Sequence, residues 1–99
     1  MKIKMNDDAA KWYKDELHLD AGDSVRFFVR YGGSSTIQKG FSLGVVQENK
    51  EEAGASAEAC GIEFFVSEQD LWYFDGNDLL IKFDEDNNEP VFDYEKTAD

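Results

Sequence analysis

The 99-residue chain predicts a β-rich α+β fold, a pseudo-barrel or sandwich with an N-terminal helix. Three observations predict it. Only residues 6 to 17 carry apolar side chains at helical spacing, whereas about five other stretches alternate apolar and polar residues with the two-residue period of strands. Most connections between those stretches are too short for helical crossovers, so the strands are expected to be mixed but mainly antiparallel. One proline, no internal repeat and 41% hydrophobic residues fit a single domain over residues 1–99, with a core from about 3 to 94 and a polar tail from 95 to 99.

Each element has a local reason. After a short apolar start at Ile3 and Met5, Asn6 is placed to cap a helix whose first turn holds Asp7 and Asp8, suited to the positive end of the helix dipole. Ala10, Tyr13 and Leu17 make its buried stripe, and Asp20-Ala21-Gly22-Asp23 ends it. Val25, Phe27, Val29 and Tyr31 then alternate with Arg26, Phe28 and Arg30, and Phe41, Leu43 and Val45 repeat the pattern after a Gly- and Ser-rich bend. Gln47 to Ala59 is acidic and Ala-rich with no clear period, and reads as a surface crossing. Ile62, Phe64 and Val66 resume a strand, and Ser67 with Asp70 forms a capping box ahead of one or two helical turns at Leu71-Trp72-Tyr73. Asp75-Gly76-Asn77-Asp78 is a turn, Leu79, Ile81 and Phe83 alternate again, and Val91, Phe92 and Tyr94 form the last apolar run after Pro90. The alternating face Val25, Phe27, Val29 is expected to pack with Phe41, Leu43, Ile62, Phe64, Leu79 and Ile81 in one core.

Charge excludes some partners. The formal net charge is -12, with 8 basic and 10 acidic residues in 1–61 but 2 basic and 12 acidic in 62–99. Such a surface repels phosphate backbones and anionic lipid headgroups, so neither nucleic acid nor a membrane is expected as a partner. A single cysteine, Cys60, allows no disulfide within the chain, and no N-terminal stretch reads as a signal peptide, which makes the cytoplasm the expected compartment.

Four features invite a chemical reading. Ser34 in Arg30-Tyr31-Gly32-Gly33-Ser34-Ser35 would need a base and an orienting partner to act as a hydrolase nucleophile, and the only histidine, His18, belongs to the helix end. Gly32 and Gly33 lack the lysine-serine pair of a phosphate loop and read as a bend needing positive φ. Asp84, Asp86, Asn88 and Glu95 match positions 1, 3, 5 and 12 of a calcium loop, but Glu89 stands where glycine is needed and strands flank it, so a solvated turn is expected. Cys60 has no second cysteine or neighbouring histidine with which to build a metal site.

Ile3 to Ala10, then Val25-Arg26-Phe27-Phe28-Val29-Arg30, the Gly-Gly-Ser-Ser loop, Ile62 to Val66 and Leu71-Trp72-Tyr73-Phe74-Asp75-Gly76 together resemble the HesB/IscA-like family of iron-sulfur cluster biosynthesis, most closely its small YneR-like subgroup. The resemblance runs from about Ile3 to Tyr94. It implies a strand-rich pseudo-barrel or sandwich that commonly self-associates. Carriers of the family hold iron or a cluster through a cysteine in the loop after the Val-Arg strand and a C-terminal Cys-x-Cys pair. Here Ser34 occupies the loop position and residues 93–99, DYEKTAD, hold no cysteine. A serine hydroxyl is a poor anionic ligand at neutral pH, so Gly32, Gly33, Ser34 and Ser35 form a degenerate ligand loop and no cofactor is expected.

The sequence therefore points to a non-enzymatic binding or accessory protein that takes a protein partner or small ligand through this loop and exposed aromatics, with Trp12, Trp72, Tyr73 and Phe74 as the candidate anchors. A homo-oligomer is compatible with it. Two other readings stay open at this point: a genuine iron or iron-sulfur carrier using carboxylates or partner thiols, and a hydrolase using Ser34.

Overall fold

The alternating runs fold into two sheets that share one core. In the computed structural model, which describes residues 1–33, 35 and 37–97, strand β1 (Ile3–Met5) precedes helix α1 (Asp7–Glu16), followed by β2 (Ser24–Tyr31), β3 (Phe41–Gln47), β4 (Ala53–Ala59) and β5 (Ile62–Ser67). A 3-10 helix (Glu68–Phe74) then leads to β6 (Asn77–Asp84) and β7 (Glu89–Lys96). One sheet has the order β1-β6-β7 and the other β3-β2-β5-β4. Three of the pairings are antiparallel, and β1 with β6 and β2 with β5 are parallel. This is the mixed, strand-rich α+β architecture that the alternation predicts.

Helix α1 starts where the cap places it. The Asn6 side chain accepts hydrogen bonds from the N–H groups of Asp8 and Ala9, and Ala9, Ala10 and Tyr13 are buried while Leu17 closes the helix half-buried. The inner face of β2 buries Val25 and Phe27 completely, together with Ile62, Phe64, Leu79 and Ile81; Val29, Phe41 and Leu43 pack against that cluster from its margin. Six of the nine residues expected in one core are thus buried in it, and the other three pack against it.

Three details differ from the sequence reading. Residues 53–59 form β4, because Ala53, Ala55, Ala57 and Ala59 turn inward while Gly54, Ser56 and Glu58 face out. Its period of two is carried by residues too small to register as an apolar alternation. A side chain at Gly54 would meet Leu71 at 2.7 Å, so the strand stays small to seat the 3-10 helix above it. Ser67 makes no side-chain cap, and Asp70 is buried, turned toward β2. Finally, β7 runs through Lys96, opposite Asn77, so Glu95 and Lys96 belong to the sheet and not to a tail.

Asp78 fastens the chain's two ends. Its carboxylate accepts hydrogen bonds from the Lys2 N–H and the Thr97 hydroxyl, each at 2.8 Å, and lies 4.0 Å from the Lys4 ammonium. The Thr97 hydroxyl first, and the Lys2 N–H next, hold its carboxyl below the ordinary carboxylate value. A group whose folded pKa is depressed stabilises the fold fully above its unfolded value of about 3.9, and that contribution is lost as pH falls through the lower folded value. Asp78→Asn is therefore expected to flatten the acid limb of a stability profile measured by urea unfolding between pH 5 and 2. Superimposable acid limbs for the two proteins would show that Asp78 is not linked to folding.

Candidate functional site

The bend after β2 is closed from within. Gly32, Gly33 and Gly40 all have positive φ, at 104°, 70° and 85°, which the turn requires and side chains disfavour. The Gly32 N–H donates to the Gly40 carbonyl at 2.8 Å, and the Ser42 hydroxyl donates to the Gly32 carbonyl at 3.1 Å. A Cβ at Gly33 would sit 2.8 Å from that hydroxyl. The Ser35 hydroxyl bonds both the N–H and the carbonyl of Gln38, each at 3.1 Å. Ser34 lies outside the described residues, and with it the nucleophile and the family ligand position read at that residue.

At the foot of this bend an aromatic ridge emerges. Tyr31, the last residue of β2, is 90% exposed, and its ring meets the Phe41 ring at 5.7 Å, edge to face. Phe41 in turn meets Trp72 at 5.2 Å, and Trp72 is 53% exposed. Trp72 thus reaches the surface, as a partner-contact residue must. Tyr73 and Phe74 do not. Both are fully buried, and the Tyr73 hydroxyl is 2.9 Å from that of Tyr94, so the polar tip that would have reached a partner is satisfied inside the fold. Both rings pack against Tyr94 of β7, with centroids 6.0 and 6.1 Å apart. Burial, and then the bond from Tyr73, push the Tyr94 phenol well above its usual value.

Trp12 belongs to a different surface. It is half-buried and lines an open depression of about 340 Å³ with Leu17, Val45 and Pro90, at whose rim stand Glu16 and Glu89. The sequence reading did not single out Tyr31, because the alternation ran it on after Val25, Phe27 and Val29; Phe41, expected in the core, packs against it and also joins the ridge. The adjoining Gly32-Gly33 was the available signal, since a strand running into a turn carries its last side chains beyond its cover.

An ion pair ties the 3-10 helix to β2. The Arg26 guanidinium on β2 donates to Asp70 at 2.9 Å and to Glu48 at 3.3 Å, and the Val29 N–H reaches the same Asp70 oxygen at 3.4 Å. β2 pairs with β5 only from Ser24 to Arg26. Beyond that point the Asp70 carboxylate takes over one of the ladder acceptors that β5 no longer supplies, and it docks the 3-10 helix, with Trp72 on it, beside β2. Arg26 Nε is buried without a partner among the described residues.

The remaining candidates stay apart from the bend. His18 follows α1 with φ 52°, exposed, its N–H on the Asp15 carbonyl. The Asp84 carboxylate accepts from the Asn87 side chain and from the N–H groups of Asp86 and Asn87, the geometry of a self-closing Asx turn between β6 and β7, and these bonds, the Asn87 amide first, hold its carboxyl below the usual value. Cys60, with φ 55°, is exposed in the β4–β5 turn, where its thiol lies 3.8 Å from the Asp7 carbonyl. That turn adjoins the start of β2 through the Gly22 N–H on the Gly61 carbonyl, whereas the Gly-Ser bend lies at the other end of the strand, roughly 20 Å away at about 3.3 Å per residue. An iron-sulfur cluster takes about four ligands, usually thiolates. One thiol at the far end of β2 does not fit it.

Comparison with known proteins agrees with the family that the sequence resembles. The family model described as iron-sulphur cluster biosynthesis matches residues 1–97. A Bacillus subtilis protein named pyruvate dehydrogenase inhibitor is 60% identical over 95 residues, covering 96% of this chain and 100% of the relative. An uncharacterized protein of Staphylococcus haemolyticus is 43% identical over 91 residues, 88% of this chain and 92% of its own length. Another from Staphylococcus saprophyticus is 40% identical over 84 residues, 82% and 86%. With a family match over nearly its whole length and relatives at these identities, the chain belongs to the HesB/IscA family of iron-sulphur cluster biosynthesis proteins.

Proposed function

We propose that the chain is a non-enzymatic binding protein that docks on a protein partner through the ridge Tyr31, Phe41 and Trp72, and that this partner is pyruvate dehydrogenase, which it inhibits. The observation that carries the docking is the exposure of the ridge. An unusually bare tyrosine and a half-exposed tryptophan, locked edge to face through Phe41, offer a rigid aromatic patch of the kind that anchors interfaces. The name of the 60% identical relative supports the choice of partner. The donor set supports binding over cluster carriage, since the one thiol stands alone at the other end of β2.

The purified chain is expected to slow pyruvate dehydrogenase in a dose-dependent way. Tyr31→Ala and Trp72→Ala are each expected to raise the half-inhibitory concentration by about 30-fold, the equivalent of a 2 kcal/mol interface anchor. Undiminished inhibition by both variants would remove the ridge, and a chain without effect on the enzyme would remove the partner. Anaerobic incubation with iron and sulfide is expected to leave both the unmodified chain and Ser34→Cys colourless. A stable cluster in either would replace this reading with that of a carrier using carboxylates or partner thiols.

A further inference from the structure

We propose that β3 is the docking edge: an extended basic segment of the partner adds to it as a further strand, with an apolar side chain against the ridge and a cationic one in the Trp12 depression. This deepens, and rests on, the partner reading above. The two sheets have four edges, and three of them are guarded. β1 is three residues long and carries Lys4; β4 has a register shift at Ala53/Ala55 and holds Glu58; β7 carries Glu89, Pro90, Asp93, Glu95 and Lys96. Short length, bulges, charges and proline are the usual protections of an exposed edge. β3 has none of them. Its sequence, FSLGVVQ, contains no charge and no proline in a chain that is 32% charged.

The hydrogen bonds show which groups β3 offers. The Glu48 N–H donates to the Ser24 carbonyl and the Gly32 N–H to the Gly40 carbonyl, and both pairs lie in the register that sets Val29 opposite Leu43. Opposed residues of an antiparallel pair alternate between bonded and non-bonded. Ser42, Gly44 and Val46 therefore direct their backbone groups toward β2, and Leu43 and Val45 direct theirs outward. The bond from the Val29 N–H to Asp70, away from β3, agrees with that parity.

What lies at the two ends of β3 selects the occupant. Phe41 joins the exposed aromatic ridge, with Arg30 and Lys39 exposed nearby, whereas Val45 opens onto the depression walled by Trp12 and rimmed by Glu16 and Glu89. A lysine or arginine side chain fits the second end, its stem on Trp12 and Leu17 and its head between two carboxylates. Phe41 and Val45 are four residues and about 13 Å apart, so the apolar and cationic anchors of the segment should be four residues apart as well. A second copy of the chain is the poorer occupant, because it would bring another net charge of -12 to the contact.

The test uses the whole chain with pyruvate dehydrogenase. Val45→Pro deletes an outward N–H without removing a bond to β2, and is expected to weaken inhibition by about tenfold while the circular dichroism spectrum is kept. Glu16→Lys combined with Glu89→Lys is expected to weaken it by a similar factor. Should Val45→Pro fail to fold, hydrogen exchange on the unmodified chain decides: peptides covering residues 41–47 are expected to gain protection when the enzyme is added. If inhibition persists and those peptides gain none, β3 is not the edge, and the partner reading stands without it. Absence of any binding by the unmodified chain removes the partner reading and this inference together. Protection that rises on concentrating the chain alone assigns the edge to a second copy and overturns the basic segment.

Discussion

Phe27→Ala is expected to destabilise the fold by about 3–5 kcal/mol, the cost of truncating a fully buried aromatic side chain. Phe27 is 0% exposed and lies at the meeting of both sheets and the helix. Its ring stacks on Phe64 at 5.8 Å and takes the edges of Tyr13 and Phe92 at 5.8 and 5.5 Å. Three neighbours from three different elements lose a contact at once, and the pairing of Phe27 with Val45 on β3, with β5 joined to β2 up to Arg26, holds the backbone against collapse into the void. Against a total of about 5–15 kcal/mol for a domain, this removes a large share. At about 4–8 °C per kcal/mol, the melting temperature should fall by at least 12 °C. A urea midpoint and melting temperature within error of the unmodified chain would mean that β2 faces the other way.

The second large effect is expected at Asp70. Asp70→Ala leaves the Arg26 guanidinium, whose side chain is 17% exposed, with only the half-exposed Glu48, and strips the Val29 N–H of its acceptor. Breaking a buried pair costs about 3–5 kcal/mol; the residual exposure of both partners and the surviving Glu48 contact lower the expectation to about 2–3 kcal/mol. Because the same residue seats the 3-10 helix, Trp72 fluorescence should shift as well. Asp70→Asn, which retains an oxygen for Val29, is expected to recover part of the loss. Equal urea midpoints for Asp70→Ala and the unmodified chain would reduce the pair to a surface contact.

Large apolar residues at period two made most of the fold legible. Val25-Phe27-Val29, Ile62-Phe64-Val66 and Leu79-Ile81 could satisfy their burial in only one way, and the helix announced itself through Asn6 and its acidic first turn. The strand at residues 53–59 was hidden because its inward positions are alanines and Gly54 leaves room for Leu71, so no large apolar side chain marks its period. Local spacing also misled at Asp70. Three residues after Ser67 it suggested a capping box, yet the charge of Arg26, 44 positions earlier, claimed it. Neither Trp72 nor Tyr73 could be sorted by sequence into surface and core, since a 3-10 helix places successive side chains about 120° apart and only its neighbours decide which direction is inside. The candidate site was legible as a loop, and the aromatic ridge beside it was not.

The pairing of β1 with β6 has a consequence for how the chain is made. Ile3 lies opposite Leu79, and the Lys2 N–H is bonded to Asp78, 76 positions away. At a synthesis rate of about 5–20 residues per second, the first strand waits roughly 4–15 s for its partner to be polymerised. During that wait the β2–β3 hairpin can close by itself, but the sheet that covers its apolar side does not yet exist. The uncharged strand FSLGVVQ is then bare on its edge and on its inner face together, which is the state in which such segments pair with one another. Nascent chains on neighbouring ribosomes, more than finished molecules, are where this protein is most exposed to aggregation, because residues 1–61, with 8 basic and 10 acidic side chains, are nearly neutral, and most of the charge that keeps finished molecules apart arrives with residues 62–99.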